Sequence, residues 1–380
     1  MSNSNFTIRE KCIFCNTKLD TCYFKKDYEN YVAHYQVDID YDINNMVKIP
    51  YNILICNNCN TSQTKYLGNL NEIYKLNHAD STGTTMIYLH HKTANLIEKY
   101  KNNINNILEI GSSYGVLADI ILSKNLKFNY NIIEPCYKGN NTNKTIYDDF
   151  YENIDDTKID ANTIIISHVF EHFYNPREIL DKIYFNNNIT NFFLIFPDLE
   201  YYINNDVLHV LNTEHTYYVD NQFLINELNN YGFELIEREN YQNHSVIFYF
   251  KRISNNRKNI IYVNKNYSLD SFFNKIFNTI NKFNNYIINN DNKNIYIWPS
   301  SIHSLYLCIF GLKYEKISGM LDNSINKIGK KMYGVDLPIY SFNEIINNND
   351  KNTIILINGG VFNNEIMKST VNTNIKFIFV

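Results

Sequence analysis

The chain has 380 residues, 44% of them apolar and 15% aromatic, and its formal net charge is −4. That length predicts two or three domains, and a weak negative charge without any block of Lys or Arg argues against a nucleic-acid partner. Because the sequence has no run of about 18 apolar residues and no apolar signal-peptide core, we expect a cytoplasmic protein without a membrane partner.

Two Cys-x-x-Cys pairs lie near the N-terminus, Cys12 with Cys15 and Cys56 with Cys59. Four thiolates spaced in this way bind one Zn²⁺ ion tetrahedrally, in a closed structural site. The segment between the pairs is longer than a short zinc ribbon needs, which predicts a small inserted lobe. Cys22 is an alternative ligand outside the pairs, and four unrelated reduced thiols are the competing interpretation.

Residues 107–117 have the pattern of an apolar strand, a glycine turn and the start of an apolar helix. Gly111 and Gly115 lie in the turn with Ser112, and glycine there lets the backbone come close to a flat cofactor. Glu109, just before the turn, has no place beside a pyrophosphate. It suits the ammonium and sulfonium groups of S-adenosylmethionine, which is therefore the cofactor we expect.

Acidic residues recur at the ends of the following strands. Residues 131–134 form a short strand ending in Glu134, which is placed to accept hydrogen bonds from the ribose hydroxyls. Asp148 and Asp149 are expected to face the adenine edge. Two further apolar runs follow at 163–167 and 191–196. Apolar strands that alternate with helical stretches predict an α/β, Rossmann-like domain with a mainly parallel sheet.

Composition and periodicity divide the chain into four segments. Residues 1–66 form the zinc lobe, 67–100 a helical connector, 101–252 the cofactor domain and 253–380 a smaller C-terminal α/β domain. In the last of these we expect helices at 269–288 and 302–310 and strands at 295–298, 314–321 and 353–357.

Glu214-His215 is the second informative feature, because it follows the fourth strand of the cofactor domain in a polar loop. A histidine over the methyl donor can take a proton from a substrate, and the adjacent carboxylate can hold the imidazole tautomer. Tyr218 is placed to hydrogen-bond a developing oxyanion. His168 and His172 compete for the role of base, but we interpret them mainly as cofactor-side or helix-capping residues.

The order of these motifs resembles the sugar C-methyltransferases. The matching features are the two cysteine pairs, Glu109-Ile-Gly-Ser-x-x-Gly115, Glu214-His215-x-x-Tyr218, and a C-terminal pattern with Asp322, Lys327, Gly329-Lys330, Gly334 and Pro338. The family carries a zinc-binding domain, a class I methyltransferase domain and a C-terminal domain. The resemblance covers nearly the whole chain.

The resemblance implies methylation at C-3 of a nucleotide-linked 4-keto-deoxyhexose. His215 would remove the proton beside the keto group, and the enolate would attack the sulfonium methyl. Tyr74, together with Ser81 and Thr82, loosely matches a Tyr/Ser/Ser run of the family. The substrate is then expected to contact Tyr74 and, through its nucleotide end, a second set of residues in the C-terminal domain: Ser300, Ser301, Asp322 and Lys327.

Three other functions stay open from the sequence. The first is an O- or N-methyltransferase acting on a sugar or small metabolite, for which His215 would also serve as base. The second is a zinc-ribbon RNA methyltransferase, against which the acidic balance argues. The third is a non-catalytic interaction protein that has kept the fold, favoured by Ser113 in the glycine turn. A monomer or weak dimer is expected.

Overall fold

The computed structural model describes most of the chain, in these ranges: 5–32, 36–74, 84–124, 126, 128–242, 244–265, 269–347, 352–360, 363–369 and 375–379. The predicted contribution of Ser81 and Thr82 lies outside the described residues. Among the described helices, none has the length and apolarity needed to cross a membrane.

The N-terminal lobe consists of short strands joined in antiparallel pairs. Its elements are β1 (Phe6–Ile8), β2 (Tyr28–Tyr31), β3 (Gln36–Asp38), β4 (Lys48–Tyr51), β5 (Ile53–Ile55), β6 (Ser62–Thr64), β7 (Tyr66–Gly68) and helix α1 (Leu70–Ile73). β1 pairs with β7, β2 with β4, and β5 with β6. The β5–β6 hairpin encloses the second cysteine pair, and the segment between the two pairs supplies β2 to β5, which is the predicted inserted lobe.

The middle of the chain builds a seven-stranded sheet with helices on its faces. Its elements are α2 (Thr84–Lys99), β8 (Asn106–Ile110), α3 (Val116–Ser123), β9 (Asn129–Ile133), β10 (Lys144–Tyr147), β11 (Thr163–Ser167), α4 (Pro176–Phe185), β12 (Asn191–Pro197), α5 (Leu199–Asn204), β13 (Tyr217–Tyr218), α6 (Asn221–Asn230), β14 (Phe233–Tyr241) and β15 (Ser245–Arg252).

The strand order in this sheet is β10-β9-β8-β11-β12-β15-β14, and β15 runs in the direction opposite to the other six strands. All seven residues of β12 are buried, as expected for a strand covered on both faces. The carboxyl ends of β8, β9, β11 and β12 therefore meet at one edge, together with the first residue of the antiparallel β15. This arrangement confirms the predicted Rossmann-like α/β fold.

The C-terminal part is a second α/β unit around a five-stranded parallel sheet, in the order β19-β17-β16-β20-β21. Its elements are α7 (Leu269–Asn289), β16 (Asn294–Trp298), α8 (Ile302–Ile309), β17 (Gly319–Leu321), β18 (Lys330–Met332), β19 (Ile339–Tyr340), α9 (Phe342–Asn347), β20 (Thr353–Ile357), α10 (Asn363–Ser369) and β21 (Lys376–Phe379).

One predicted strand, 314–321, is wrong in its first half. A 3₁₀ turn, Tyr314–Lys316, precedes β17, because the amide of Ile317 bonds back to the carbonyl of Tyr314 instead of joining the sheet. None of the residues of this turn is buried, and the buried apolar residues of the run begin only at Ile317, so the strand was predicted too long at its start.

The N-terminal lobe contacts both other units. β6 pairs with β13 of the middle unit, and β3 pairs with β18 of the C-terminal unit. The hydroxyl of Tyr306 in α8 also donates to the carbonyl of Leu211. The loop between α5 and α6 is therefore enclosed by all three parts of the chain.

Candidate active site

The two cysteine pairs converge on one point. The four Sγ atoms lie within 4.8 Å of one another, with 3.4 Å between Cys12 and Cys59 and between Cys15 and Cys56. A tetrahedral Zn²⁺ with bonds of about 2.3 Å separates its sulfur ligands by about 3.8 Å, so this donor set fits zinc. Cys22 is exposed and stands apart from the cluster.

Both pairs have the same local fold, because both continue as Cys-x-x-Cys-Asn-Thr. Asn16 and Asn60 adopt positive φ angles of 59° and 57°, a conformation that asparagine tolerates. Their amides bond back to the carbonyls of Cys12 and Cys56, at 2.9 and 2.8 Å. This repeated turn directs the thiols of each pair to the same side, as a zinc knuckle requires.

The glycine turn lies at the carboxyl end of β8. Gly111 and Gly115 have φ angles of 72° and 68°, and Ser113 between them has 52°. A Cβ at Gly111 would lie 2.3 Å from a methyl group of Val169, so the close approach of the neighbouring loop requires glycine. The Ser112 hydroxyl is buried and has no hydrogen-bond partner within the described ranges, which leaves it available to a ligand at the turn.

Glu134 lies beside this turn, just after β9, and is half-buried. Its carboxylate accepts the amide of Ser113 at 2.9 Å and the amide of Cys136 at 3.0 Å. Each carboxylate oxygen retains a further lone pair. The position therefore fits a group that braces the glycine turn and accepts hydrogen bonds from a ligand's hydroxyls.

The remaining predicted cofactor acids occupy different surroundings. Glu109 is 2% exposed and accepts the Tyr130 hydroxyl at 2.7 Å, and burial raises the pKa of Glu109 to about 7. Asp148 is exposed. One oxygen of Asp149 accepts the Phe150 amide and the Asn153 side-chain amide, which caps the following turn and leaves its other oxygen for a ligand.

A cluster of polar side chains gathers over the carboxyl edge of the sheet. The Nδ1 atom of His215 is 3.1 Å from the carbonyl of Val210, and because a carbonyl only accepts, Nδ1 carries the proton and Nε2 keeps its lone pair. The imidazole of His172 lies 5.5 Å from that of His215, between ring centroids, in a stacked arrangement. The carboxylate of Glu214 lies 3.2 Å from Nδ1 of His172. The carboxylate thus orients the second histidine and not its sequence neighbour.

The sequence singled out two tyrosines, Tyr74 as a substrate contact and Tyr218 as the oxyanion donor. Tyr74 brings its hydroxyl to 3.3 Å from Nδ1 of His172. Tyr218, the predicted oxyanion donor, is 1% exposed and has its hydroxyl 3.4 Å from that of Tyr51. Tyr74 therefore occupies the position beside the histidines that we had expected for Tyr218.

Glu171 belongs to this cluster, and the sequence did not single it out. It is fully buried, and neither carboxylate oxygen has a hydrogen bond within the described residues. One of its oxygens is 3.5 Å from Nδ1 of His168 and 4.0 Å from Nε2 of His172. The signal was present in His168-Val-Phe-Glu171-His172, where a carboxylate stands between two histidines directly after a strand.

Burial sets the protonation of the histidines. It lowers the pKa of His215 well below its ordinary value, and the imidazoles of His172 and His209 add to this effect. Burial also lowers the pKa of His168 to about 4, while its Nε2 lies 2.9 Å from the Ser245 hydroxyl. Both rings are therefore neutral near pH 7.

The same cluster contains a second arrangement that suits a cation. Glu171, His172 and His215 each offer a ligand atom, and these atoms lie within 4.8 Å of one another. Two imidazoles and one carboxylate are donors that divalent transition metals accept.

The predicted residues of the C-terminal unit lie together at the start of α8. The Lys327 ammonium donates to the carbonyl of Ser300 at 2.9 Å and to Asp322 at 3.0 Å. The hydroxyls of Ser300 and Ser301 and Nδ1 of His303 are buried without a hydrogen bond in the described part of the chain. Unsatisfied donors and a cation at a helix N-terminus favour an anionic ligand group.

Comparisons with known proteins find a family model and several solved structures that are similar to part of this chain. Residues 86–238 match a family model described as a methyltransferase domain. No curated protein sequence matches the chain. Similar solved structures include 1,6-didemethyltoxoflavin-N1-methyltransferase of Burkholderia thailandensis, at 7% identity and a TM-score of 0.35, covering 43% of this chain and 78% of that one. The N-methyltransferase NodS of Bradyrhizobium japonicum has 10% identity and a TM-score of 0.35, covering 46% and 99%.

The strand order, the glycine turn with its acids and the family match define the class of the protein. Residues 86–238 form a methyltransferase domain with a class I fold, and the acids beside its glycine turn suit S-adenosylmethionine as the methyl donor. The match assigns the methyltransferase domain to residues 86–238, and the zinc lobe and the C-terminal unit lie outside it.

Proposed function

We propose that the enzyme methylates carbon, at the position beside the keto group of a nucleotide-linked 4-keto-deoxysugar. The observation that carries this proposal is the tautomer of His215. Its Nδ1 proton is held by the Val210 carbonyl, so Nε2 is an unprotonated base within a buried site. Removing a proton from carbon next to a carbonyl needs such a base. Among the described residues at this edge of the sheet, His168 contacts a side chain, that of Ser245, and so lacks a tautomer fixed by the backbone.

Three neighbours complete the site in this proposal. Glu214 fixes His172, which lies against the face of His215. The Tyr74 hydroxyl, 3.3 Å from His172, is placed to donate to the oxygen that becomes negative when the proton leaves carbon. Tyr218 stays a predicted donor, although its hydroxyl is paired with that of Tyr51.

S-adenosylmethionine supplies an electrophilic methyl group on a sulfonium centre. The residues proposed to hold it are those around the glycine turn: Glu109, Gly111, Ser112, Gly115, Glu134, Asp148, Asp149 and His168. Support comes from the Ser112 hydroxyl, which has no hydrogen-bond partner among the described residues, and from the Glu134 carboxylate beside the turn. These groups bind and orient the donor, while the deprotonation is left to the histidine cluster.

The nucleotide end of the substrate is proposed to lie at the start of α8. Ser300 and Ser301 offer buried hydroxyls without partners among the described residues, and Lys327 brings a positive charge that Asp322 holds in place. Such a set of donors matches the oxygens of a diphosphate.

The decisive experiment follows the substrate's carbon-bound proton in D₂O, with thymidine and uridine diphosphate 4-keto-deoxysugars. The wild-type enzyme should exchange this proton without any methyl donor, and His215→Ala should abolish both exchange and turnover. Its affinity for S-adenosylhomocysteine, measured by calorimetry, should stay within about twofold of wild type, because the residue is not among those proposed to hold the donor. Wild-type turnover in the variant would refute the assignment of the base.

A second candidate function is methylation of a hydroxyl with help from a divalent cation. The triad of Glu171, His172 and His215 favours it, because its ligand atoms lie close enough together to chelate. In that case activity should depend on an added divalent ion and be lost in a weak chelator that leaves the cysteine site loaded. The product would carry its methyl group on oxygen, and no carbon-bound proton would exchange.

A further inference from the structure

The loop that carries Glu214 and His215 is attached to the zinc lobe. Its strand, β13, does not join the seven-stranded sheet but pairs with β6, placing Tyr217 opposite Gln63. The amide and the hydroxyl of Thr64 both donate to the carbonyl of Thr216, at 3.0 and 3.2 Å. The residue directly after His215 is therefore held by the strand that leaves the second cysteine pair.

Gln63 connects this pairing to the cysteine cluster. It is fully buried, and its side-chain amide donates to Sγ of Cys12 at 3.2 Å. Its side-chain carbonyl accepts the amide of Ile13, inside the first cysteine pair, at 3.1 Å. Gln63 therefore contacts the Cys12 sulfur through its side chain, and its backbone belongs to the strand that pairs with β13.

Two further contacts hold the loop from its other sides. The ring of Phe14, between Cys12 and Cys15, meets that of Tyr217 edge to face at 5.4 Å between centroids. The amide of Thr216 donates to the carbonyl of Glu171, at 3.0 Å, on the opposite side. A shift of the cysteine cluster would therefore move the loop relative to the Phe170–His172 turn, which carries the other histidine.

We propose that Gln63 is a positioning residue, which transmits the geometry of the zinc site to His215 through the pairing of β6 with β13. This inference rests on the proposed role of His215 as the base. Hydrogen bonds to ligand atoms fix the orientation of a metal site, and here the same residue extends that order to the loop. A displacement of about 1 Å at a reacting group costs about 10²-fold in rate, so a small loss of order suffices to affect turnover.

The test variant is Gln63→Met, which keeps the side-chain length and removes the three side-chain hydrogen bonds of Gln63, to Cys12, Ile13 and Thr61. Asn52→Leu is the matched control: Asn52 is a 1% exposed amide of the same lobe, and its side chain contacts Phe24, Lys26 and Asp27, not β13. Gln63→Met should keep one zinc per chain and its affinity for S-adenosylhomocysteine. It should lower kcat about tenfold or more and speed hydrogen exchange at the amides of Thr64 and Thr216.

Thr64→Val serves as a milder second variant, because it removes only the hydroxyl bond to Thr216 and keeps the strand pairing. It should change hydrogen exchange and kcat in the same direction by a smaller factor. If exchange at Thr64 and Thr216 in both variants equals that of wild type or of Asn52→Leu, the positioning role of Gln63 is overturned. Hydrogen exchange does not need a substrate, so this result is independent of whether the proposed carbon methylation itself is correct.

Discussion

Burial changes the pKa of individual ionisable groups in this site. Glu109 is the clearest case, because its carboxyl group lies beneath the cofactor turn with one hydrogen bond from Tyr130. Removing water from a carboxylate disfavours its charged form, and the pKa of Glu109 is accordingly raised to about 7. Without a bound cation, this residue costs stability at neutral pH.

The pH dependence of unfolding should report that cost. Since the folded pKa of Glu109 lies above the unfolded value, its contribution to stability is present at low pH and is lost as pH rises from about 4.5 through about 7. Glu109→Gln keeps the acceptor for Tyr130 and cannot ionise. Urea unfolding of the donor-free protein should therefore show the variant gaining on wild type by on the order of 2–3 kcal/mol between pH 5 and pH 8. An unchanged difference would contradict the buried charge.

Variants of two tyrosines distinguish between the two candidate oxyanion donors, Tyr218 from the sequence and Tyr74 from the structure. Tyr74→Phe removes the hydroxyl beside His172 and should lower kcat by about 10²-fold, the usual cost of losing one such donor. Tyr218→Phe removes a hydroxyl that lies against Tyr51 and should leave kcat within about threefold. Donor affinity should be unchanged in both. Steady-state kinetics of the pair decides the assignment, and the reverse ranking would restore Tyr218.

The strand-to-turn-to-helix unit β8–α3 shows how local sequence builds the donor site. The apolar residues of β8 bury it in the sheet, and the positive φ at Gly115 allows the chain to turn directly into α3. Gly111 has a second constraint, since Val169 after β11 occupies the space that a Cβ would need. The turn is therefore specified both by its own backbone and by the neighbouring loop.

Paired glycine substitutions should separate these two constraints. Gly329 has φ of 80° with nothing within 4 Å of an added Cβ, so Gly329→Ala carries only the backbone cost of about 1–2 kcal/mol. Gly111→Ala carries the same backbone cost and adds the overlap with Val169. Thermal unfolding should show the larger loss for Gly111→Ala, and calorimetry should show at least tenfold weaker binding of S-adenosylhomocysteine for that variant alone. Equal losses would mean that Val169 can yield.

The N-terminal lobe, which holds the cysteine cluster, contacts both other parts of the molecule. Its strand β6 pairs with β13, beside Glu214 and His215, and its strand β3 pairs with β18 of the C-terminal unit. A small lobe of short strands has little core of its own, so a metal cross-link is expected to supply much of its stability. Loss of the metal should therefore lower the stability of the two units that pair with the lobe as well as that of the lobe itself.

Chelation of the metal tests this connection. A strong chelator should release one zinc per chain and lower the unfolding temperature by roughly 10 °C or more, because zinc binding and folding of such a lobe are coupled. Cys15→Ser should reproduce the effect. Cys22→Ser is the control, since that cysteine is exposed and outside the cluster, and it should retain zinc and wild-type stability. Metal analysis with scanning calorimetry measures both properties, and an unchanged unfolding temperature after metal loss would contradict the coupling.

Much of this protein was determined by local sequence alone. The strand Thr163–Ser167 was predicted without error, because a short apolar run between polar segments has few other ways to bury itself. The cysteine pairs were recognised for a similar reason, since a Cys-x-x-Cys turn brings its two thiols together whatever surrounds it. The mainly parallel sheet and the glycine turn also followed from patterns within a few tens of residues.

Only the tertiary structure decided which side chains meet. Tyr74, His172 and Glu214 come from three distant segments, and their contacts depend on how the zinc lobe, the sheet edge and the loop before β13 pack together. Long-range packing also explains why Tyr74 lies beside the histidines in the place expected for Tyr218, and why β13 pairs with β6. Local periodicity specifies which residues are buried, but the partner of a buried polar group is chosen by long-range packing, because each such group must find a hydrogen bond wherever the fold provides one.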